Sequence, residues 1–456
     1  MPAAESMRAS VRMANEGLPA PVIHNFQRLF SQVLLGNTGI IEECSIDSVG
    51  KVDQLKEVRK DANYHRIGMA HLEELAVIRL NGGLGSSMGM ANAKSLLPIR
   101  EGLTFNDLTI RQLRQLKEET GHDIPLIHMT SFRTDDDIRQ VMEEAGYENP
   151  NGIPVTFTQH KHPKIYVDTL QFADEHDDSL NWNPPGHGDM YAALLGTGIA
   201  QKLLESGKRY LFVANADNLG ATVAPEILGY MVERQSPFLM ETCKRTEADK
   251  KGGHLARDKK TGNLLLREVA QAPQENGEVI SEFSDIERYN QFNTNSIWLD
   301  LKHVVELAER YDGCIPLPLI RNVKPVNTED RASRQVIQIE TAMGAAINLF
   351  DGACALEVPR DRFMPVKTNN DLLLVMSDWY EVAPNGCLVA HESTRGRPQP
   401  IIKLDPKYFG MISDFSERVR VCPSLREAKS LEVVGDWGFD TPMTISGAVR
   451  LCRDDK

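Results

Sequence analysis

Apolar and polar positions change rhythm several times along this chain, and each change predicts an element. Val22-Ile23, Phe26, Leu29-Phe30 and Val33-Leu34 recur at helical spacing, so the first segment is predicted to be an amphipathic helix packed on a later domain. From Ala76 onward, short apolar runs alternate with amphipathic helical stretches. Residues 76–80, 124–129, 155–158, 210–214 and 238–242 read as strands. Residues 108–120, stopped by Gly121, and 190–205, stopped by Gly207, read as helices. Alternation of this kind predicts an α/β core with a mixed, largely parallel sheet, where ligands gather at the carboxyl ends of strands.

The last segment has a different rhythm. Leu431, Trp437, Met443 and Val449 lie six apart, and Val433, Phe439, Ile445 and Leu451 form a second register two residues later. Gly435, Gly438 and Gly447 fall between the apolar pairs. A period of six with inward apolar positions predicts a hexapeptide β-helix, in which each coil stacks on its neighbour. An antiparallel meander carries a similar alternation and is the competing expectation. The core is expected to give way to this segment near residues 383–386, where Pro384 and Gly386 interrupt the pattern. The predicted division is an N-terminal helical segment over 1–74, an α/β core domain over 75–384 and a C-terminal domain over 385–456. The polar, small-residue stretch 1–20 is expected to be mobile.

One junction carries candidate chemistry. The apolar run Leu75-Ala76-Val77-Ile78 leads into Leu80-Asn81-Gly82-Gly83-Leu84-Gly85-Ser86-Ser87-Met88-Gly89, with Lys94-Ser95 just beyond. Glycines allow close backbone approach and positive φ, so consecutive N–H groups can converge on one anion, to which a lysine adds a full charge. Two other phosphate loops are excluded, because both the Walker pattern and the dinucleotide fingerprint need glycine at Met88. A flexible turn with a solvated lysine is the plain alternative. Asp217 follows the predicted strand 210–214, where a carboxylate can ligate Mg²⁺ or simply cap an Asx turn.

Composition narrows the partners. At 456 residues the chain is long enough for two or three domains. A formal net charge of −13 opposes broad binding of nucleic acid or anionic membrane, without opposing a small anion held by a few lysines in a cleft. No run has the length of a membrane helix, and residues 1–17 contain no signal-like apolar core, so a cytoplasmic protein is expected. The 7 cysteines are scattered without a C-x-x-C pair, which argues for reduced packing residues over disulfides or a zinc site.

The glycine loop resembles the nucleotide loop of the eukaryotic-type UTP:glucose-1-phosphate uridylyltransferase (UDP-glucose pyrophosphorylase) family. The resemblance recurs in order at Pro184-Pro185-Gly186-His187-Gly188-Asp189, Phe212-Val213-Ala214-Asn215-Ala216-Asp217-Asn218-Leu219-Gly220-Ala221-Thr222-Val223, Phe292-Asn293-Thr294-Asn295, Gln338-Ile339-Glu340-Thr341-Ala342 and Arg362-Phe363-Met364-Pro365-Val366-Lys367-Thr368. It implies a Rossmann-like nucleotidyltransferase core with a C-terminal left-handed parallel β-helix. The implied reaction converts UTP and glucose 1-phosphate to UDP-glucose and pyrophosphate, reversibly and with Mg²⁺. In-line attack by an already ionised phosphate on the α-phosphorus needs no general base. It needs alignment of two polyanions and stabilisation of the leaving pyrophosphate.

Residue by residue, the resemblance implies catalytic roles for Lys94 and Lys367, which would contact the triphosphate and the reacting phosphates. Leu80, Asn81, Gly82, Gly83, Gln159, Gly186, Asn215, Ala216 and Asp217 would bind the nucleotide, Gln159 with backbone groups of Leu80 and Gly186 reading the uracil edge. His187, Asn293 and Asn295 would bind the sugar phosphate, His187 as a neutral hydrogen-bonding group, although an Asx turn is an alternative for either asparagine. Asp217 would hold the Mg²⁺ ion. The chain departs from the family at Met90-Ala91-Asn92-Ala93, at Ala216, where a bulkier isoleucine is usual, and at His160-Lys161-His162. Its C-terminal β-helix is expected to be shorter than in members that oligomerise through it, which leaves homo-oligomerisation open. Two rivals stay in view: a UDP-sugar pyrophosphorylase of broader range, and a nucleotide-sugar-binding regulator without turnover.

Overall fold

Strand formation follows the apolar runs. The computed structural model describes residues 2–85, 88–275, 278–327, 330 and 332–453, so Ser86 and Ser87 of the glycine loop lie outside the described residues. Strands occupy Leu75–Leu80, Leu126–Thr130, Thr156–Thr158, Tyr210–Asn215 and Phe238–Lys244. The α/β sheet is mixed and mostly parallel, with Gln291–Asp300 running antiparallel to both its neighbours. The helix Phe105–Thr120 starts in a Thr104/Asp107 capping box and stops at Gly121, whose φ of 77° leaves the helical path. The helix expected over 190–205 is two helices, Met190–Gly196 and Ile199–Glu205, because Gly198 turns left-handed at φ 75°.

By packing, the chain divides into two units. The first comprises Met1–Ile78, Asn149–Val213 and Ala224–Pro359. Its helix Ala20–Leu34 buries Val22, Ile23, Phe26, Leu29, Phe30 and Val33. These side chains share a core with Ile165, Trp182, Leu319, Ile337 and Ile339, so the N-terminal helix closes this unit's own interior. The stretch expected to be mobile instead contains the helix Pro2–Asn15, held because Ala9 and Met13 are buried in the same core. Its mean composition is polar, but two apolar positions four apart suffice to anchor one face.

The second unit comprises Arg79–Glu148, Ala214–Val223 and Arg360–Lys456. At its C-terminal end, Ile401–Leu404, Ser424–Gly435 and Thr444–Arg453 form a three-stranded sheet. Both pairings are parallel, with Leu431 beside Ile402 and Val449, and Val433 beside Leu404 and Leu451. Parallel pairing excludes the antiparallel meander. The inward side chains Leu425, Leu431, Val433, Phe439 and Ile445 join a core that also holds Met88, Leu219, Met364 and Val366. Thus one apolar cluster supports the segments carrying the glycine loop, Asp217 and Lys367. Among the described residues no helix is long and apolar enough to cross a membrane, and the cysteines are free thiols.

Candidate active site

Three segments of the second unit converge on Asp217. Leu80 is fixed because its carbonyl accepts from Ala216 N at 3.0 Å, and Asn81 because its N–H donates to the Met129 carbonyl at 2.7 Å. Beyond them the loop folds back through an antiparallel bridge between Leu84 and Ala93, with the Gly85 carbonyl accepting from Met88 N and Met90 N. This return delivers Lys94 to the first position of the turn Lys94–Leu96, where its Nζ donates to Asp217 Oδ2 at 2.8 Å. The two groups stand far apart in sequence, and both side chains are mostly buried, at 16% and 19% exposure. The third segment is tied on by Val366 N donating to the Asp217 carbonyl at 3.2 Å.

Lys367 follows directly. Its backbone N–H donates to Asp371 Oδ2 at 2.9 Å, while its side chain is exposed and makes no hydrogen bond or ion pair among the described residues. Asp217 Oδ1 is buried and unpartnered. A carboxylate oxygen out of contact with water or a donor is costly unless a cation or donor completes it on binding. Asn215 carries a half-buried amide that likewise makes no side-chain hydrogen bond among the described residues. Asn81 differs: its Nδ2 donates to Ser95 Oγ at 2.7 Å and lies 3.3 Å from His128 Nδ1, so its amide shapes the loop from within.

The glycines of the candidate site are required for different reasons. Gly186 has φ 78°, and a Cβ there would lie 2.5 Å from the Thr341 carbonyl oxygen. Gly83 has no positive φ, and a Cβ on it would meet nothing within 4 Å. Protein packing therefore demands glycine at 186 and does not account for it at 83. Gly186→Ala is expected to destabilise the fold measurably. Gly83→Val is expected to keep the unfolding free energy within about 0.5 kcal/mol of the parent and to raise KM for the nucleotide at least tenfold; denaturant titration and initial rates separate the two.

In the first unit, residues 185–188 are laced to Thr341 by two backbone bonds, Thr341 N to the Pro185 carbonyl and Gly188 N to the Thr341 carbonyl, both 2.9 Å. His187 Nδ1 accepts from Met343 N at 3.0 Å, which leaves the ring proton on Nε2 and free to donate. Burial lowers its pKa from 6.5 to about 4, so it stays neutral at physiological pH, in line with a hydrogen-bonding role. Gln159, at the end of Thr156–Thr158, is mostly buried and its amide is unengaged among the described residues.

Asn293 and Asn295 sit on a β-bulge. The register between Phe238–Lys244 and Gln291–Asp300 jumps from Glu241↔Ser296 to Thr242↔Asn293, and Asn295 takes φ 56°. The Asx turn does form, with Asn295 N donating to Asn293 Oδ1 at 3.0 Å. Asn293 Nδ2 donates to Asn295 Oδ1 at 2.8 Å, so the turn orients both amides as a pair. Bulges with a left-handed non-glycine residue re-aim side chains at a backbone cost of about 1–3 kcal/mol, which favours a functional reason for this one.

Burial also lowers His162 to about 4 and His128 and His254 to about 3. Unfolded, each histidine binds its proton near pH 6.5, so between that pH and the folded values the unfolded chain holds more protons. Stability is expected to fall on acidification from pH 7 to pH 5, by up to about 1.4 kcal/mol per pH unit for each neutral histidine. Urea midpoints measured across that range test this; an unchanged midpoint would mean that these rings are charged in the fold.

A sequence model described as UTP–glucose-1-phosphate uridylyltransferase matches residues 23–446. Enzymes of that name from Astragalus penduliflorus and Saccharomyces cerevisiae are each 40% identical to this chain, over 83% and 85% of it and over 78% and 75% of their own lengths. The chain belongs to the UTP–glucose-1-phosphate uridylyltransferase family. Among solved structures, a UDP-glucose phosphorylase from Trypanosoma brucei superposes with TM-score 0.88 at 39% identity, covering 98% of this chain and 95% of that one. A mutant of the Leishmania major UDP-glucose pyrophosphorylase, in complex with UDP-glucose, gives 0.89 at 37% identity, with 99% and 97% covered.

Within this uridylyltransferase fold, three residues near the candidate positions had no role in the sequence reading. Asn218 Oδ1 accepts from Met364 N at 2.9 Å and Gly220 N at 3.1 Å, and its Nδ2 donates to the Arg362 carbonyl at 3.2 Å. It staples the Lys367 segment to the Asp217 segment. Thr341 holds the turn at Gly186, as above. Glu268 Oε1 lies 3.4 Å from Asn293 Nδ2, which places a carboxylate beside the asparagine pair. Asn218 and Thr341 lie inside motifs that were legible, whereas nothing local to Glu268 distinguishes it.

Proposed function

We propose that this chain is a cytoplasmic UDP-glucose pyrophosphorylase, converting UTP and glucose 1-phosphate to UDP-glucose and pyrophosphate. The observation that carries the assignment to nucleotidyl transfer is the Lys94–Asp217 pair beneath the glycine loop, with Asp217 Oδ1 left unpartnered. A phosphate oxygen of glucose 1-phosphate attacks the α-phosphorus of UTP, and the bond to the bridging oxygen of pyrophosphate breaks. The nucleophile carries its charge beforehand, so the residues work by position and charge. Backbone N–H groups at Gly82 and Gly83 and the ammonium of Lys94 take the triphosphate; Lys367 neutralises charge on the reacting phosphates. Gln159 pairs with the uracil edge, Asn215 and Ala216 line the nucleotide, His187 donates from Nε2 to the sugar phosphate, and Asn293 and Asn295, with Glu268, meet the glucose hydroxyls.

The residues fit a Mg²⁺ ion in one respect, the orphaned Oδ1 of Asp217. Among the described residues no cluster of three or more histidine, cysteine or acidic side chains could hold a metal by itself, so Asp217 would serve as the protein ligand, with phosphate oxygens and waters completing the shell. When bound, Mg²⁺ supplies charge neutralisation for the phosphates. The pairing of Ser424–Gly435 with Thr444–Arg453 fits a short left-handed β-helix, since from Ser430 onward it matches residues three six-residue steps apart, as in Leu431 beside Val449. Among the described residues Thr444–Arg453 pairs on one side only, which offers an edge to a second copy.

Pyrophosphate release from UTP and Mg²⁺ with glucose, galactose or N-acetylglucosamine 1-phosphate tests the assignment. Strong preference for glucose 1-phosphate supports it. Comparable rates favour the broader UDP-sugar pyrophosphorylase, because a C4 epimer alters one hydroxyl's hydrogen bonds. Silence with all three, from a folded sample that binds UDP-glucose, would leave a binding protein.

A further inference from the structure

A second cavity lies within the first unit, built from residues the reaction does not use. It has a volume of about 410 Å³ and is bordered by Lys51, Asp53, Arg234, Arg257, Asn263 and the backbone around Gly352. It opens at the end of the sheet where Cys354–Glu357 begins, since Cys354 and Ala355 line it and Asp53–Gln54 pairs beside that strand. Asn293 pairs with Thr242, whose neighbour on the other side is Glu357, at the opposite end of the same strand. The cavity is thus separate from the asparagine pair.

Its charge stands against the rest of the molecule. Three cations border it against one carboxylate, in a chain of net charge −13. The carboxylate is already committed: Asp53 Oδ2 accepts from Arg234 Nη2 at 2.6 Å and from Tyr230 Oη at 2.8 Å. Arg257 Nη1 donates to the Gly262 carbonyl. Lys51 is exposed and makes no hydrogen bond or ion pair among the described residues. Forked guanidinium groups and a free ammonium around a polar cleft suit a phosphate group, which accepts from several donors at once.

The floor of the cavity connects to His187 by a continuous set of bonds. Asn263 Nδ2 donates to the Asn348 carbonyl at 3.0 Å, and Asn348 Nδ2 returns a bond to the Leu264 carbonyl at 3.2 Å. Asn348 belongs to the helical turn Met343–Leu349, whose first residue donates to His187 Nδ1 and accepts from Tyr191 Oη at 2.9 Å. Phe350, next in the chain, lines the cavity. A ligand that draws Arg257 and Asn263 inward therefore acts on one end of a turn whose other end sets the orientation of His187.

We propose that this cavity binds a small phosphorylated anion through Lys51, Arg234 and Arg257, and that occupancy changes the affinity for the sugar phosphate through the turn Met343–Leu349. The regulatory half rests on the proposed uridylyltransferase activity; the binding half does not. The probe is inorganic phosphate, titrated calorimetrically into protein saturated with UDP-glucose, at constant ionic strength held with chloride. Failure of UDP-glucose to bind in its own prior titration bears on the proposed function, not on this cavity. The expected result is saturable phosphate binding, weakened at least tenfold in a Lys51→Ala/Arg257→Ala double variant. Both side chains are exposed and outside the catalytic machinery, so the double variant should keep its fold and basal rate. In the parent alone, phosphate should shift KM for glucose 1-phosphate at least twofold, beyond the competition read at fixed UTP in the double variant. No phosphate binding to the saturated protein, or equal binding to the variant, overturns the site. Binding lost in the variant with identical KM responses in both proteins overturns the coupling.

Discussion

Lys367→Ala is expected to lower kcat by about two orders of magnitude or more, by analogy with the loss of other groups that meet charge developing in a transition state. The structure separates this from a folding defect. The Lys367 side chain is exposed, and the tie that fixes its position runs through its backbone N–H to Asp371, which alanine retains. The unfolding free energy should therefore change by no more than about 0.5 kcal/mol. Single-turnover rates with saturating UTP and glucose 1-phosphate give the chemical step directly. Near-normal turnover would remove Lys367 from the mechanism and leave it a solvated charge.

Asp217→Asn should have the second large effect, and of another kind. Asparagine preserves an acceptor for Lys94 while removing the charge that pairs with it at 2.8 Å. Loss of that charge should raise the Mg²⁺ concentration for half-maximal activity at least tenfold and depress the maximal rate with it. Stability should fall by less than the ~1.5–3 kcal/mol that a hydrogen bond to a charged group contributes, because the acceptor is kept. If the variant kept the parent's Mg²⁺ titration curve, Asp217 would be a partner that positions Lys94 and not a metal ligand. Lys94→Met completes the comparison, since it should raise KM for UTP while releasing Asp217 from its ion pair, so that the Mg²⁺ requirement does not rise as it does in Asp217→Asn.

Local pattern made much of this legible. The apolar run ending at Leu80, the glycines after it and the carboxylate just past residue 214 needed only strand length and turn chemistry. The six-residue rhythm of Leu431 to Leu451 announced stacked strands, and the parallel register agrees with it. The misses have identifiable physical causes. Gly198 divides a helix because its left-handed turn competed with an otherwise unbroken apolar face, and the sequence does not say which wins. The helix Pro2–Asn15 depends on burial of Ala9 and Met13 by residues far along the chain. The bulge at Asn295 and the meeting of Lys94 with Asp217 are products of long-range register, which no local pattern carries.

The shared interior of the second unit has a consequence for how this protein wears out. Because Phe439 and Ile445 lie in one apolar cluster with Met88, Leu219 and Val366, the last strands cannot fray as an independent appendage. Amides in Ser424–Gly435 should exchange with solvent at the same rate-limiting opening as those around the glycine loop, so that a proteolytic nick or heat step releasing the tail also erases turnover. A truncated chain would not be a slower enzyme with a missing ornament; its glycine loop would have lost the floor on which it rests.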